Sequence, residues 1–388
     1  MCGAFAFGLG IAVACGGNSS PSGFNPNPGN GSGSGGGSGG GEGDGSTPIL
    51  GVGGSGSGGV VVGDGGCVGL QCQIHACPNN PDGTTLTGHV YDPAGNNALY
   101  DVVVYVPNST PAPITPGVDA TSCSCDLLYT GEPIAAGITD ASGSFTVKHV
   151  PDGTDIPLVV QIGKWRTQIK IPTVTLCGGS AGTNDLDTLL LPEKLKLPSI
   201  AGIGASGLTK GLEQNIPNIA ISTGSADTLE CLLRRVGVDP LEYTPGAGGT
   251  GHIHIFTGGG KAAPSMVGST SSDSDLWKSS ATLSPYDIVL LSCEGAPTTI
   301  SDVPATTAAL QTYTAAGGRV FAEHYHYEFF SDPQSVFAND NIADWFNVQT
   351  PGAGGKANDQ YAANTVSAII QTTLPGGAKF PKGEALQT

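Results

Sequence analysis

The sequence predicts a multidomain protein: an all-β sandwich followed by an α/β doubly wound parallel sheet, both behind a disordered Gly/Ser-rich tether. Three observations predict it. Residues 16–66 are almost all Gly, Ser, Asn and Pro. From Thr84 to about Thr175, short runs alternate apolar and polar residues between Gly, Pro, Asn and Asp, the pattern of strands and turns. From Asn218 onward, strand-like and helix-like runs alternate, the pattern of a parallel sheet with crossover helices.

The chain opens on MCGAFAFGLGIAVAC. Gly3 to Ala14 is apolar or small and carries no charge. It is too short for a spanning helix, which needs about 20 apolar residues. It has the length of the hydrophobic region of a secretory signal, so residues 1–15 are expected to be one. Ala12-Val13-Ala14-Cys15 resembles the bacterial lipobox. That resemblance implies a lipidated Cys15, and a lipoprotein held at the outer membrane or cell surface. The positive segment that normally precedes such a signal is absent; without lipidation the protein would be secreted.

Residues 16–66 cannot bury enough apolar surface to offset the entropy of ordering them. A Gly-rich coil of that length reaches about 40 Å. It is not a phosphate loop, because no strand-then-helix context and no Lys-Ser/Thr pair accompany it.

The chain has 32 acidic and 15 basic residues and a net charge of −17, which argues against nucleic acid and anionic lipid surfaces as partners. Charged residues are only 12%, so the surface must be rich in Ser, Thr, Asn and Gly, as in many secreted, sugar-contacting or adhesive proteins. The expected partners are a membrane lipid anchor and a carbohydrate or surface-protein ligand. No motif requires a cofactor.

Cys67, Cys72, Cys77, Cys123, Cys125 and Cys177 cluster around the first folded region, residues 67–190. An even count in an exported chain reads as disulfides, with 15 pairings open. Cys123 and Cys125 are too close to pair with each other, so they are expected to reach Cys67–Cys77 and Cys177. The spacings do not match a zinc knuckle, although His75 lies among them. Cys231 and Cys293 are left to pair together or to stay as thiols.

Within this region, TLTGHVYD, VVVYVPN and AAGITDASGSFTVKHVPDGTDIPLVVQIGKWRTQIKI read as strands broken by turns at Asp140–Gly143 and Asp152-Gly153. Gly88-His89-Val90-Tyr91-Asp92, Val102 to Val106, Thr139-Asp140-Ala141-Ser142-Gly143-Ser144-Phe145 and Val150-Pro151-Asp152-Gly153 resemble the carboxypeptidase regulatory-like domain over about 90 residues. The resemblance implies a seven-stranded, transthyretin-like sandwich that supports folding, adhesion or carbohydrate contact without chemistry. An insertion from Pro107 to Pro133 departs from it. Trp165 and Tyr105 are candidate sugar platforms, with core packing the commoner role for such residues.

Residues 191–215 read as a linker and 216–388 as the α/β domain. NIAISTG, HIHIFTGGG, SPYDIVLLSCEG and RVFAEHYHYEFF are expected strands. SADTLECLLRRVGV (capped by Thr223 or Ser225), VPATTAALQTYTAAGG and SVFANDNIADWFNV are expected helices. The alternating HIHIF run suggests an edge or half-exposed strand. Tyr286 to Leu291, Leu310, Tyr313, Ala316 to Val320 and Glu323-His324 are similar to class I glutamine amidotransferase-like, flavodoxin-like folds, in their trehalose-utilisation-type branch. The departure is in the chemistry. Cys293 has no G-x-C-x-G turn, and no later His-Glu pair follows. The last residues supply no closing element, so the sheet is expected to be incomplete.

Open α/β sheets bind ligands outside the carboxyl ends of their strands. Cys293, Glu294, Glu323 and His324 fall near such ends, with a Cys293 thiol activated by His324 as the sharpest catalytic reading. Exported thiols oxidise, which weighs against it. His252-x-His254 and His324-x-His326 would each present two imidazoles on one strand face for a metal, a spacing common by chance. Asp64, Asp273 and Asp275 lack the oxygen set of a calcium loop. Three functions compete: a non-catalytic surface lipoprotein, an extracytoplasmic hydrolase acting at the strand ends, and a structural envelope protein.

Overall fold

The computed structural model describes residues 67–118, 129–258, 268, 270–295, 300–337, 372, 373 and 379. The expected leader with Cys15, the tether, Cys123, Cys125 and most of the helix expected over 335–348 lie outside the described residues. No helix among the described residues is long and apolar enough to cross a membrane.

Seven strands form two facing sheets: β1 (Leu86–His89), β2 (Val103–Pro107), β3 (Pro133–Ile138), β4 (Ser144–Val147), β5 (Gly153–Ile162), β6 (Trp165–Val174) and β7 (Asn184–Asp185). One sheet runs β4-β1-β7 and the other β3-β2-β5-β6. β5 and β6 form a ten-residue antiparallel hairpin. Leu86, Val104, Val106, Phe145, Ile156, Leu158, Val160 and Ile171 alternate inward and bury a shared core, each contributing on the order of 1.5–3 kcal/mol. The expected Asp140–Gly143 turn is present. Asp140 Oδ1 accepts from the backbone N–H of Ser142 and Ser144 at 2.8 and 3.0 Å, and Gly143 takes the required φ of 80°.

The disulfides are Cys67–Cys72 and Cys77–Cys177. This corrects the expectation that Cys123 and Cys125 would take those partners: the N-terminal cysteines bond to each other and to Cys177. Cys231 and Cys293 are not in disulfides. His75 sits 2.6 Å from Asp152.

The segment expected to be a linker is structured. A short helix, α1 (Leu186–Leu189), leads into it, and Leu190, Leu195 and Leu197 complete the sandwich core. A small hairpin, β8 (Gly202–Ile203) with β9 (Glu213–Gln214), follows.

The second region is a five-stranded, wholly parallel sheet. Its strands are β10 (Ile219–Ser222), β11 (Tyr243–Pro245), β12 (Ile253–Phe256), β13 (Ile288–Leu291) and β14 (Arg319–Ala322), in the order β11-β12-β10-β13-β14. Ile219, Ile221, Ile253 and Ile255 face one side, where α2 (Leu229–Arg235) packs through Leu233. Ala220, Phe256, Val289 and Leu291 face the other, against α3 (Asp273–Trp277), α4 (Ser280–Leu283) and α5 (Val303–Ala315). Helices on both faces agree with the expected α/β class. Numbered within the sheet, the order is 2-3-1-4-5, whereas the flavodoxin-like order is 2-1-3-4-5.

Three expectations fail locally. β12 is buried throughout and lies between β11 and β10, so HIHIF is not an edge strand. The strand expected through Phe330 stops at Ala322; His324–Tyr327 is a 3-10 turn leading into α6 (Glu328–Ser331). α2 begins at Leu229, several residues late. Residues 223–228 are instead held as a loop, because Ala226 N–H and Asp227 N–H both donate to the Cys293 carbonyl.

Candidate functional site

Leaving β10, the chain turns to one edge of the sheet through α2. Leaving β13, it turns to the other through α5. The connections from these two adjacent strands therefore leave in opposite directions, which makes their carboxyl ends the switch point of the sheet, where open α/β folds bind ligands. The backbone there is tight. A Cβ on Gly224 would lie 2.1 Å from the Cys293 carbonyl oxygen. One on Gly258, just past β12, would lie 2.9 Å from Glu294 Oε1 and 2.1 Å from the Thr223 carbonyl oxygen. Only glycine lets these loops close over the strand ends.

Carboxyl groups converge at this end from separate elements. Asp273 comes from the start of α3, Glu294 from the loop after β13, Glu323 from the end of β14, Asp227 from the loop after β10 and Glu328 from α6. Asp273 and Glu294 are nearly fully buried and lie beside each other. Burial first, and the Glu294 charge second, push the Asp273 carboxyl up to about 6. Ser272 Oγ and Ser274 N–H donate to Asp273 Oδ1 at 3.0 and 2.7 Å and partly oppose that shift.

A second pair repeats the arrangement. The Glu323 carboxyl is raised by burial first and by Asp227 second. Glu323 Oε2 also accepts from Cys293 N–H at 3.3 Å. Ser225 Oγ donates to the Glu294 carbonyl. The two carboxyl pairs are thus tied to the same stretch of backbone, Ser292 to Glu294. Burial, with Asp332 next, raises Glu328.

His326 is fully buried and stacks on Phe329 at 5.7 Å, with the Trp277 ring edge-on at 6.5 Å. Its Nδ1 lies 3.0 Å from the Glu323 carbonyl oxygen. A carbonyl can only accept, so Nδ1 carries the proton. Nε2 is left facing Glu294 Oε1 at 3.6 Å, beyond hydrogen-bond reach and without a hydrogen-bond partner among the described residues. In the neutral ring, Nε2 is an acceptor aimed at an acceptor.

The expected site residues are therefore divided. Glu294 and Glu323 meet at the strand ends. The Cys293 thiol is buried there, and its backbone N–H donates to Glu323. The backbone of His324 begins the 3-10 turn; its side chain lies outside the described atoms. His326, considered only as a metal ligand, is the imidazole that faces Glu294. Asp227 was missed and Asp273 was weighed only for calcium, because only the fold of the intervening loops brings them in.

The described histidine side chains do not assemble a metal centre. His252 Nδ1 pairs with Glu242 Oε2 at 2.6 Å. His254 lies between the Gly251 carbonyl and the Tyr286 hydroxyl, each at 3.0 Å, and burial lowers its pKa. With His326 in a turn, the same-face argument for His324 and His326 also fails. Among the described residues, no group of three or more His, Cys, Asp or Glu side chains is placed to hold a metal ion.

Neither proposed sugar platform is free. Tyr105 is buried, and Trp165 packs against two cores while Nε1 donates to the Pro198 carbonyl at 3.0 Å. A cavity of about 420 Å3 lies between β6 and the segment before β9, lined largely by Leu190, Leu195, Leu197, Pro198, Ile200 and Ile203. It includes none of the strand-end carboxyls, and the convergence of perturbed groups makes the strand ends the stronger candidate.

No family model and no curated protein matches the chain. A solved structure, a type II cohesin–X-dockerin complex from Acetivibrio cellulolyticus, contains a chain similar at 16% identity, over 40% of this chain and 86% of that one, with a TM-score of 0.21. A score that low does not establish a shared fold.

Proposed function

We propose that this chain is an exported, surface-held ligand-binding protein whose site lies at the carboxyl ends of β10 and β13. The observation that carries the reading is the buried polar cluster of Asp273, Glu294 and His326 at the switch point. In this reading the sandwich, with its resemblance to carboxypeptidase regulatory-like domains, is a non-catalytic support. The α/β module, similar in sequence to trehalose-utilisation-type proteins, carries the ligand. Cys15 is the lipid anchor and residues 16–66 the spacer, which places the protein at the outer membrane or cell surface. Intact-mass analysis from the native membrane tests the anchor: a mature chain that does not begin at a lipidated Cys15 makes the protein secreted.

The Asp273–Glu294 pair favours one rival. A carboxylate beside a carboxylic acid can serve as general base and general acid, so a hydrolase at the same site is the second reading. Incubating the purified full chain with surface oligosaccharides separates the two. Ligand retained by the protein and recovered intact, with retention lost in Glu294→Ala, supports binding. Ligand recovered cleaved, with cleavage lost in Glu294→Gln, replaces binding with hydrolysis.

A further inference from the structure

The cavity of about 420 Å3 between β6 and residues 195–206 falls inside the range of about 300–1,000 Å3 usual for small-molecule sites. Each of its walls is fixed by hydrogen bonds. On one side Thr167 Oγ1 donates to Gln214 Oε1, Gln214 Nε2 to the Gln168 carbonyl at 2.9 Å and Gln168 Nε2 to the Glu213 carbonyl at 3.1 Å, which ties β9 to β6. On the other, Asp239 N–H donates to the Ser199 carbonyl at 2.8 Å and Ala201 N–H to Glu242 Oε1 at 2.6 Å. The second wall is thereby anchored on the α/β region, and the cavity is preformed at the junction of the two regions. A preformed site spares its ligand the cost of ordering it.

The lining is aliphatic, led by Ile169, Leu190, Leu195, Leu197, Ile200 and Ile203, and no aromatic ring is among the described residues that form it. Its two buried polar side chains, Thr167 and Gln214, spend their donors on each other and on main-chain carbonyls. A water held there would need two to four polar partners. A sugar would need partners for its hydroxyls and a ring to stack on. The independent observation is at the mouth. Ile200 and Ile203 line the cavity yet are 43% and 68% exposed, and Leu189 and Leu191, which flank the lining Leu190, are 46% and 69% exposed. Exposed apolar side chains gathered around a concavity mark a binding surface.

We propose that this cavity binds the alkyl chain of a small amphiphile, with the polar end left in water at the mouth, where Glu193 and Lys196 are exposed. At roughly 30 Å3 for each water-sized methylene, a chain of about eight to ten carbons fills it. The site is separate from the strand ends, and neither reading depends on the other.

The test titrates the full chain with straight-chain 1-alkanols, from butanol to dodecanol. Trp165, whose indole N–H bonds the carbonyl of the lining Pro198, reports occupancy through its fluorescence, and calorimetry at several temperatures gives the heat-capacity change. The proposal expects saturable binding whose affinity rises about fourfold per methylene, the transfer free energy of one buried CH2. The rise should level off at about eight to ten carbons, and the heat-capacity change should be negative. Ile203→Asp puts a charge at the mouth, on an exposed position, and should weaken octanol binding by about tenfold or more. Ile200→Asp is the second variant, and both are checked for folding by circular dichroism. Undiminished binding in the folded variants overturns the assignment to this cavity. On the unaltered chain, an affinity that climbs without levelling is unspecific adsorption and overturns the proposal, as does the absence of saturable binding; both results stand even if neither variant folds. Displacement of octanol by cellobiose overturns the aliphatic assignment.

Discussion

Asp273 shows how one side chain can make stability depend on pH. Its carboxyl is raised from 3.8 to about 6, first by burial and then by Glu294. The folded value lies above the unfolded one, so the protonated form contributes stability that is full below about pH 3.8 and lost as pH rises through about 6. Asp273→Asn keeps a neutral group there at every pH. Relative to the parent, the variant should gain on the order of 1–3 kcal/mol between pH 4 and pH 8. Denaturant unfolding at the two pH values measures it; a parallel pH dependence in parent and variant would refute the assignment. His254 makes the opposite case. Tyr286 and the Gly251 carbonyl satisfy both of its nitrogens, so a residue whose spacing suggested a ligand serves the packing of β12 instead.

Among the elements, the Cys77–Cys177 bridge should be the dominant staple. It closes a loop of sequence separation 100, whereas Cys67–Cys72 closes one of 5. Replacing both Cys77 and Cys177 by Ala is expected to destabilise the sandwich by on the order of 2–5 kcal/mol. Replacing Cys67 and Cys72 should have a much smaller effect, and comparative thermal melts of the two double variants decide this. Strand patterning made the elements themselves legible in the sequence: alternation in 86–174 and buried apolar runs such as Ile288–Leu291. Element ends were less legible. His324–Tyr327 looked strand-like because its aromatics are β-formers, yet it leaves the sheet beyond Ala322, and His326 then turns into the core beside Phe329. The delayed start of α2 has the same kind of cause, since the Ala226 and Asp227 N–H groups donate to the Cys293 carbonyl, which is far away in sequence. Of the candidate site, Glu294 and Glu323 could be read from their place after apolar strands. Asp227, Asp273 and the role of His326 could not, because nothing local links them.

At the scale of the molecule, the sandwich and the parallel sheet meet through the tip of the β5–β6 hairpin. Lys164 pairs with Asp287, just before β13, and Trp165 packs into both cores. Val118 N–H donates to the Ser284 carbonyl and Ala94 N–H to the Val236 carbonyl. These contacts lie toward the amino ends of the parallel strands. The carboxyl cluster is at the opposite end, facing away from the sandwich, so the support does not obstruct the site. Replacing Asp287 by Ala leaves Lys164 without its counter-charge and should weaken the junction by on the order of 1–3 kcal/mol. Calorimetry should then resolve two unfolding transitions; a single unshifted transition would show that the ion pair does not couple the two regions.

The long disulfide also sets how the chain would carry mechanical load. A pull on the segment before Cys77 passes through two sulfur atoms to Cys177 and on toward the parallel sheet. The strands between those cysteines are bypassed and stay unloaded. Under a pull applied at the N-terminus, β1 to β6 then bear almost none of the tension, which passes on through β7. Stretched in a force spectrometer, the oxidised protein should release no length from residues 77–177. After reduction, the same chain should yield an additional extension of roughly 330–360 Å.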